Sequence, residues 1–171
     1  MRTGREVLLL AALWASGCGP GGTPRGTLAA TWTGADTGSI SGPATAVWCS
    51  RSRWIEITLV QADTGIGIAL FPEALLTDGA YPIRPAGPDS VRRPRSAVAA
   101  RWYTEQAIAG FRGESGSVSA ELAGQRVTGR VEALLRAYDR GDTLRFAATF
   151  VGVPIRRDQP RCPPAAAGDS V

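Results

Sequence analysis

The residues able to do chemistry in this chain are mostly arginines and carboxylates. Arg92, Arg93 and Arg95, flanked by Arg84 and Arg101, form the densest charge cluster. Guanidinium groups present forked donors that match phosphate and carboxylate oxygens. The cluster therefore reads either as a contact for anionic lipid headgroups or as a solvated loop tip. Glu56, Glu121 and Glu132 are carboxylates in strand-like segments. Two such groups roughly 5–10 Å apart could hydrolyse a glycoside. Alternation, however, puts each of the three opposite its apolar neighbours, where solvated carboxylates belong. Residues 140 to 142 spell Arg-Gly-Asp, an integrin-type tripeptide, but Gly141 is what a turn needs there. Trp32, Trp48, Trp54 and Trp102 could line a sugar or lipid pocket, but Trp32, Trp48 and Trp102 read first as core aromatics. Trp54 shares a face with Glu56 and Thr58 and is the expected exposed contact residue.

Missing residues narrow the choice further. There is no His, so Ser-His and Cys-His nucleophile pairs and imidazole zinc sites are excluded. There is no Lys, which excludes a Schiff base and a Walker-type phosphate loop. The formal net charge of +4 is spread among interspersed acids, too weakly to imply nucleic acid. No metal or cofactor site is expected, and the expected protein is not an enzyme.

The chain opens with Arg2 and Arg5, then an apolar run from Val7 to Trp14. A membrane-spanning helix needs roughly 20 apolar residues; this run fits the roughly 7–15 of an export signal. Ala15, Ser16 and Gly17 follow, then Cys18. The order of charge, apolar run, small residues and cysteine resembles a bacterial lipoprotein signal over residues 1–18, although Ala15 stands where leucine is commoner. The resemblance implies cleavage before Cys18, a diacylglyceryl group on its thiol and acylation of the new amino terminus. The implied organisation is a signal peptide over 1–17, lipidated Cys18 with a Gly/Pro tether over 18–26, one β domain over 27–157 and a tail over 158–171. Gly19, not Asp, follows the cysteine. By the sorting rule of enteric members, that implies the outer membrane, facing periplasm or cell surface, over the inner.

With Cys18 lipidated, Cys49 and Cys162 remain as a pair. An oxidising compartment would join them and tie the tail to the domain. Their spacing is too long for the immunoglobulin pattern.

The domain itself reads as strands punctuated by glycine. Leu28, Ala30 and Trp32 share one face, as do Ile55, Ile57 and Leu59, and Ile66, Ile68 and Leu70. A polar turn between the last two makes residues 54–71 a hairpin. Val98, Ala100 and Trp102 mark another strand, Val118, Ala120 and Leu122 the next, and Leu144, Phe146, Ala148 and Phe150 the last. Pro72 and Gly79 bracket an expected turn of helix. Residues 85–96 read as a long polar loop. Residues 127–138 carry both helical and alternating spacing; lying between two strands, they are assigned to strand.

About eight to ten strands at this spacing predict an all-β antiparallel sandwich or small barrel. The domain loosely resembles the small all-β domains of uncharacterised bacterial lipoproteins. The expected function is that of a lipid-anchored envelope protein, a binding or structural module whose partner is an envelope protein or a lipid headgroup. The alternatives are a lipocalin-like carrier of an apolar ligand and a carboxylate-based hydrolase.

Overall fold

Period-two alternation builds nearly every element of the computed structural model, which describes residues 26–85, 91–103, 107–139, 141–157 and 162. In chain order the strands are β1 (Thr27–Gly34), β2 (Gly38–Pro43), β3 (Thr45–Cys49), β4 (Trp54–Gln61), β5 (Thr64–Phe71), β6 (Gly79–Pro82), β7 (Arg95–Tyr103), β8 (Ile108–Ala123), β9 (Arg126–Ala137) and β10 (Thr143–Arg157). The all-β expectation holds. β9 takes the ambiguous segment as strand, with Val127, Val131 and Leu135 buried.

The pairings close on themselves. β10 pairs with β9, β9 with β8, β8 with β7, β7 with β5, β5 with β4 and β4 with β3. β3 then returns to β10 through a short parallel seam, Ala46–Trp48 against Ile155–Arg157. The antiparallel β1–β2 hairpin covers the rest of that edge of β10, from Leu144 to Val151. The molecule is thus a barrel, an arrangement that removes most free sheet edges. The expectation left barrel and sandwich open because closure depends on strands at opposite ends of the sequence.

One glycine permits the seam. β10 runs past the start of β1, and Gly26 lies against Val153. A Cβ on Gly26 would sit 2.2 Å from the Val153 Cα. The Gly26 carbonyl also accepts a 2.8 Å bond from the Ala44 amide, where the chain passes from β2 to β3. A second handover occurs in β8. It leaves β7 after Arg112 and takes up β6 at Ser117, with a register shift between Gly113 and Ser115. Bulges of this kind bend a strand and re-aim its side chains.

Inward residues fill the barrel. Leu28, Ile57, Ile68, Val131, Leu144 and Phe150 belong to one buried cluster. Each such side chain contributes roughly 1.5–3 kcal/mol on burial. Toward one end, Trp32 stacks on Trp102 at 4.9 Å, and Trp102 on Phe111 at 5.1 Å. This aromatic pile from β1, β7 and β8 occupies the lumen.

The expected turn of helix between Pro72 and Gly79 is absent: residues 72–78 are bends and irregular chain. Local tertiary bonds claim its polar groups instead. The Tyr81 hydroxyl donates to the Thr77 carbonyl at 2.7 Å, and Asp78 Oδ1 accepts from the Leu122 amide at 2.7 Å. The loop expected over 85–96 ends earlier, because β7 begins at Arg95.

Candidate functional site

Side chains that point inward from β5 and β7 leave their alternates facing outward, and those alternates are small. The register sets them in rows across the wall. Val60, Gly65, Arg101 and Gly110 form one row. Thr58, Gly67, Ala99 and Arg112 form the next. Glu56, Ala69 and Ala97 follow, and Phe71 pairs with Arg95 beyond them. In the second and third rows the middle strands contribute glycine or alanine beside longer groups on the flanking strands, and in the first Gly65 lies between Val60 and Arg101, so the wall is grooved. Two adjoining hollows of ≈ 460 and ≈ 340 Å³ share Glu56, Gly67, Ala99 and Tyr138. The first is walled by Thr58, Val60 and Arg101, the second by Arg84, Arg95 and Arg112.

Three guanidiniums on one hollow need an explanation. The Nε atoms of Arg84 and Arg95 are buried and have no hydrogen-bond partner among the described residues. A buried donor left unpaired costs about 1–3 kcal/mol. Burial, and secondarily the charge of Arg93, holds the pKa of Arg95 below the usual arginine value. Arg95 is nevertheless fixed in place. Its guanidinium lies 3.6 Å from the Phe71 ring centroid, and Phe71 stacks on Trp54 at 5.6 Å and 8°. A partly desolvated cation–π contact contributes about 1–2 kcal/mol. Arg112 approaches the Tyr138 ring at 5.6 Å on the far wall. Glu56 is the carboxylate on this hollow. The arrangement can accept an oxyanion between positioned donors.

The site residues expected from sequence are distributed differently from one another. Trp54 is half-buried under Phe71, at the end of the groove. Arg92 is exposed. The Arg93 guanidinium is occupied by backbone, donating to the Arg53 carbonyl at 2.8 Å, Pro72 at 3.1 Å and Ser52 at 3.0 Å. It therefore ties two loops together. Only Arg95 of the three reaches the groove lining. Arg84, already a flank of that cluster in the sequence, joins it there, as do Arg112 and Tyr138, which sequence reading did not group with it. The signal that could have revealed the groove is the run of small outward residues, Gly65, Gly67 and Ala69 beside Ala97 and Ala99.

Cys49 and Cys162 are joined, closing a span of 113 residues. Val47 and Cys49 are buried yet stand apart from the luminal cluster, on the outside of β3. Cys18 lies outside the described residues, as does the arginine of the Arg-Gly-Asp tripeptide; Gly141 and Asp142 lie in the β9–β10 turn. The carboxylates do not converge. Glu132 lies 3.7 Å from Arg130 on exposed β9. Glu121 pairs with Thr128, four residues along β9 from Glu132, or about 13 Å by strand rise. Glu56 is on a different wall. A larger hollow of ≈ 530 Å³ beside the β5–β6 loop is lined by Leu75, Thr77 and Tyr81, whose polar groups already bond one another.

No family model matches the chain, nor does any curated protein or solved structure compared with it.

Proposed function

We propose that the chain is a lipid-anchored module of the cell envelope, non-enzymatic, that holds an anionic group of another envelope component in its wall groove. The observation that carries the binding half is the pair of buried, unpartnered Nε atoms of Arg84 and Arg95 on one hollow. An oxyanion among the guanidiniums of Arg84, Arg95 and Arg112 would take charge-assisted bonds, among the strongest available, and so offset the cost of the unpaired donors. The anchoring half is supported by the order of Arg2, Arg5, the apolar run and Ala15-Ser16-Gly17-Cys18. The Cys49–Cys162 bond fits an oxidising compartment.

The filled lumen favours the wall over the interior as the binding surface. A lipocalin-like carrier would have to displace the Trp32–Trp102–Phe111 pile. Glu56, Glu121 and Glu132, set apart on different parts of the wall, do not form the pair that the hydrolase reading needs.

Calorimetric titration of the purified chain tests the groove. Glucose 1-phosphate and glucuronate supply the two common oxyanions, and methyl glucoside is the uncharged control. Binding of at least one anion, weakened about tenfold or more by Arg84→Gln and by Arg112→Gln, is expected. Anion binding that ignores both substitutions would remove the groove from the account. Acylation of Cys18 is checked separately, by mass spectrometry of protein from its native host.

A further inference from the structure

The barrel is electrically polarised along its axis. β1 runs from one end to the other, so the chain enters the barrel from the end at which Gly26 lies. That same end holds the β3–β4 turn, the loops around β6 and the last residues of β10. Arg51 and Arg53 are exposed on that turn, Arg92 on the loop before β7, and Arg156 near the end of β10. Among the described residues the loops there carry two acids in reply, Glu73 and Asp78, the latter accepting from the Leu122 amide. Leu75 and Val91 are 75% and 76% exposed on the same loops. The opposite end is acidic. Its turns carry Asp36, Asp63, Asp139 and Asp142, all exposed, and no arginine among the described residues.

A dipole of this kind has one favourable orientation against a negatively charged plane. We infer that the basic end, the one from which the N-terminal segment leaves, docks on a bilayer rich in anionic phosphate headgroups, with the aspartate turns facing away. The assignment builds on the lipid-anchored reading, because that anchor would hold this end near the bilayer. Chain geometry agrees. The eight steps from Cys18 to Gly26 reach at most about 30 Å. Leu75 and Val91 would enter the interface, while the arginines meet phosphate. The groove stays on the side wall, open to a partner in the aqueous phase.

The test uses the chain purified from the cells that make it. Its partitioning is measured on vesicles of phosphatidylcholine alone and with added phosphatidylglycerol. An acyl anchor contributes to both, whereas Arg2 and Arg5 of a retained leader would favour the anionic vesicles, so the basic end is read by the part of the preference that its own arginine substitutions remove. Failure of Cys18 acylation is seen by mass spectrometry and leaves this ratio free to stand or fall. We expect a strong preference for the anionic vesicles at about 0.01 M salt, lost at about 1 M as screening shortens to a few ångströms. Each surface arginine contributes about fivefold, so the triple change Arg51→Gln, Arg53→Gln, Arg92→Gln lowers anionic-vesicle affinity about 100-fold. Asp36→Asn with Asp63→Asn leaves the preference in place. Equal partitioning on both vesicles overturns the inference, as does a preference that survives the triple change or high salt. If the triple variant loses its circular-dichroism signature of folding, Arg92→Gln alone is read for its fivefold share.

Discussion

The two faces of β5 and β7 are built from the same residues in alternation and come out opposite. Inward stand Ile66, Ile68, Leu70, Val98 and Trp102, all buried; outward stand Gly65, Gly67, Ala69, Ala97 and Ala99. Bulk on one side makes a filled lumen. Its absence on the other makes a groove. Many small barrels hold ligands inside; here the side chains occupy that space and the hollow lies on the outer wall. The contrast shows that a hollow forms where side-chain volume is withheld, whatever the topology of the sheet.

Emptying the inside should cost most. Trp102→Ala removes the middle of the aromatic pile and is expected to lower stability by about 3–5 kcal/mol, read from urea unfolding. Survival of the wild-type midpoint would mean that the lumen is not close-packed. Next comes the buried patch outside β3. Cys49→Ser with Cys162→Ser opens a 113-residue loop, for a loss of about 2–5 kcal/mol; a reducing agent should lower the wild-type midpoint similarly and leave the double variant unmoved. Filling the outside should do the reverse. A Cβ on Gly67 meets nothing within 4 Å, so Gly67→Val should change stability by no more than about 1 kcal/mol while abolishing anion binding in the groove. An unfolded Gly67→Val variant, or one that binds as before, would break the contrast between faces.

The smallest effect belongs to the surface pair on β8 and β9. Glu114 accepts two bonds from Arg136, at 2.9 and 2.6 Å. That hydrogen bonding, opposed by some desolvation and helped by the charge of Arg136, holds the Glu114 pKa below the usual carboxylate value. A carboxyl lowered on folding stabilises above its unfolded pKa of about 4.3. The contribution then fades as pH falls through the lower folded value. Melting curves of wild type and Arg136→Gln should therefore differ slightly at neutral pH and converge in acid.

Strand alternation made β1, β4, β5, β7, β9 and β10 legible. It failed at β2, where Ile40 is the single large apolar residue. It failed at β3, where Ala46 and Val47 are buried in succession because Val47 is covered from outside the barrel. The early half of β8 was hidden by Gly110, Gly113 and Gly116. Pro72 and Gly79 signalled a helix that the bonds of Tyr81 and Asp78 pre-empt. The groove was half visible. Arg95 stood out as charge, but only the register brings Arg112 beside Ala99.

The parallel seam has a temporal meaning. β10 is the last strand made, and it is the partner of β1, β3 and β9. Nothing upstream can shut the ring in its place, so β1 and β3, within the first twenty or so residues of the domain, wait incompletely matched until β10 arrives. Such distant pairing is intrinsically slow, and it leaves an emerging chain pliable for as long as any of it is still threaded through a channel.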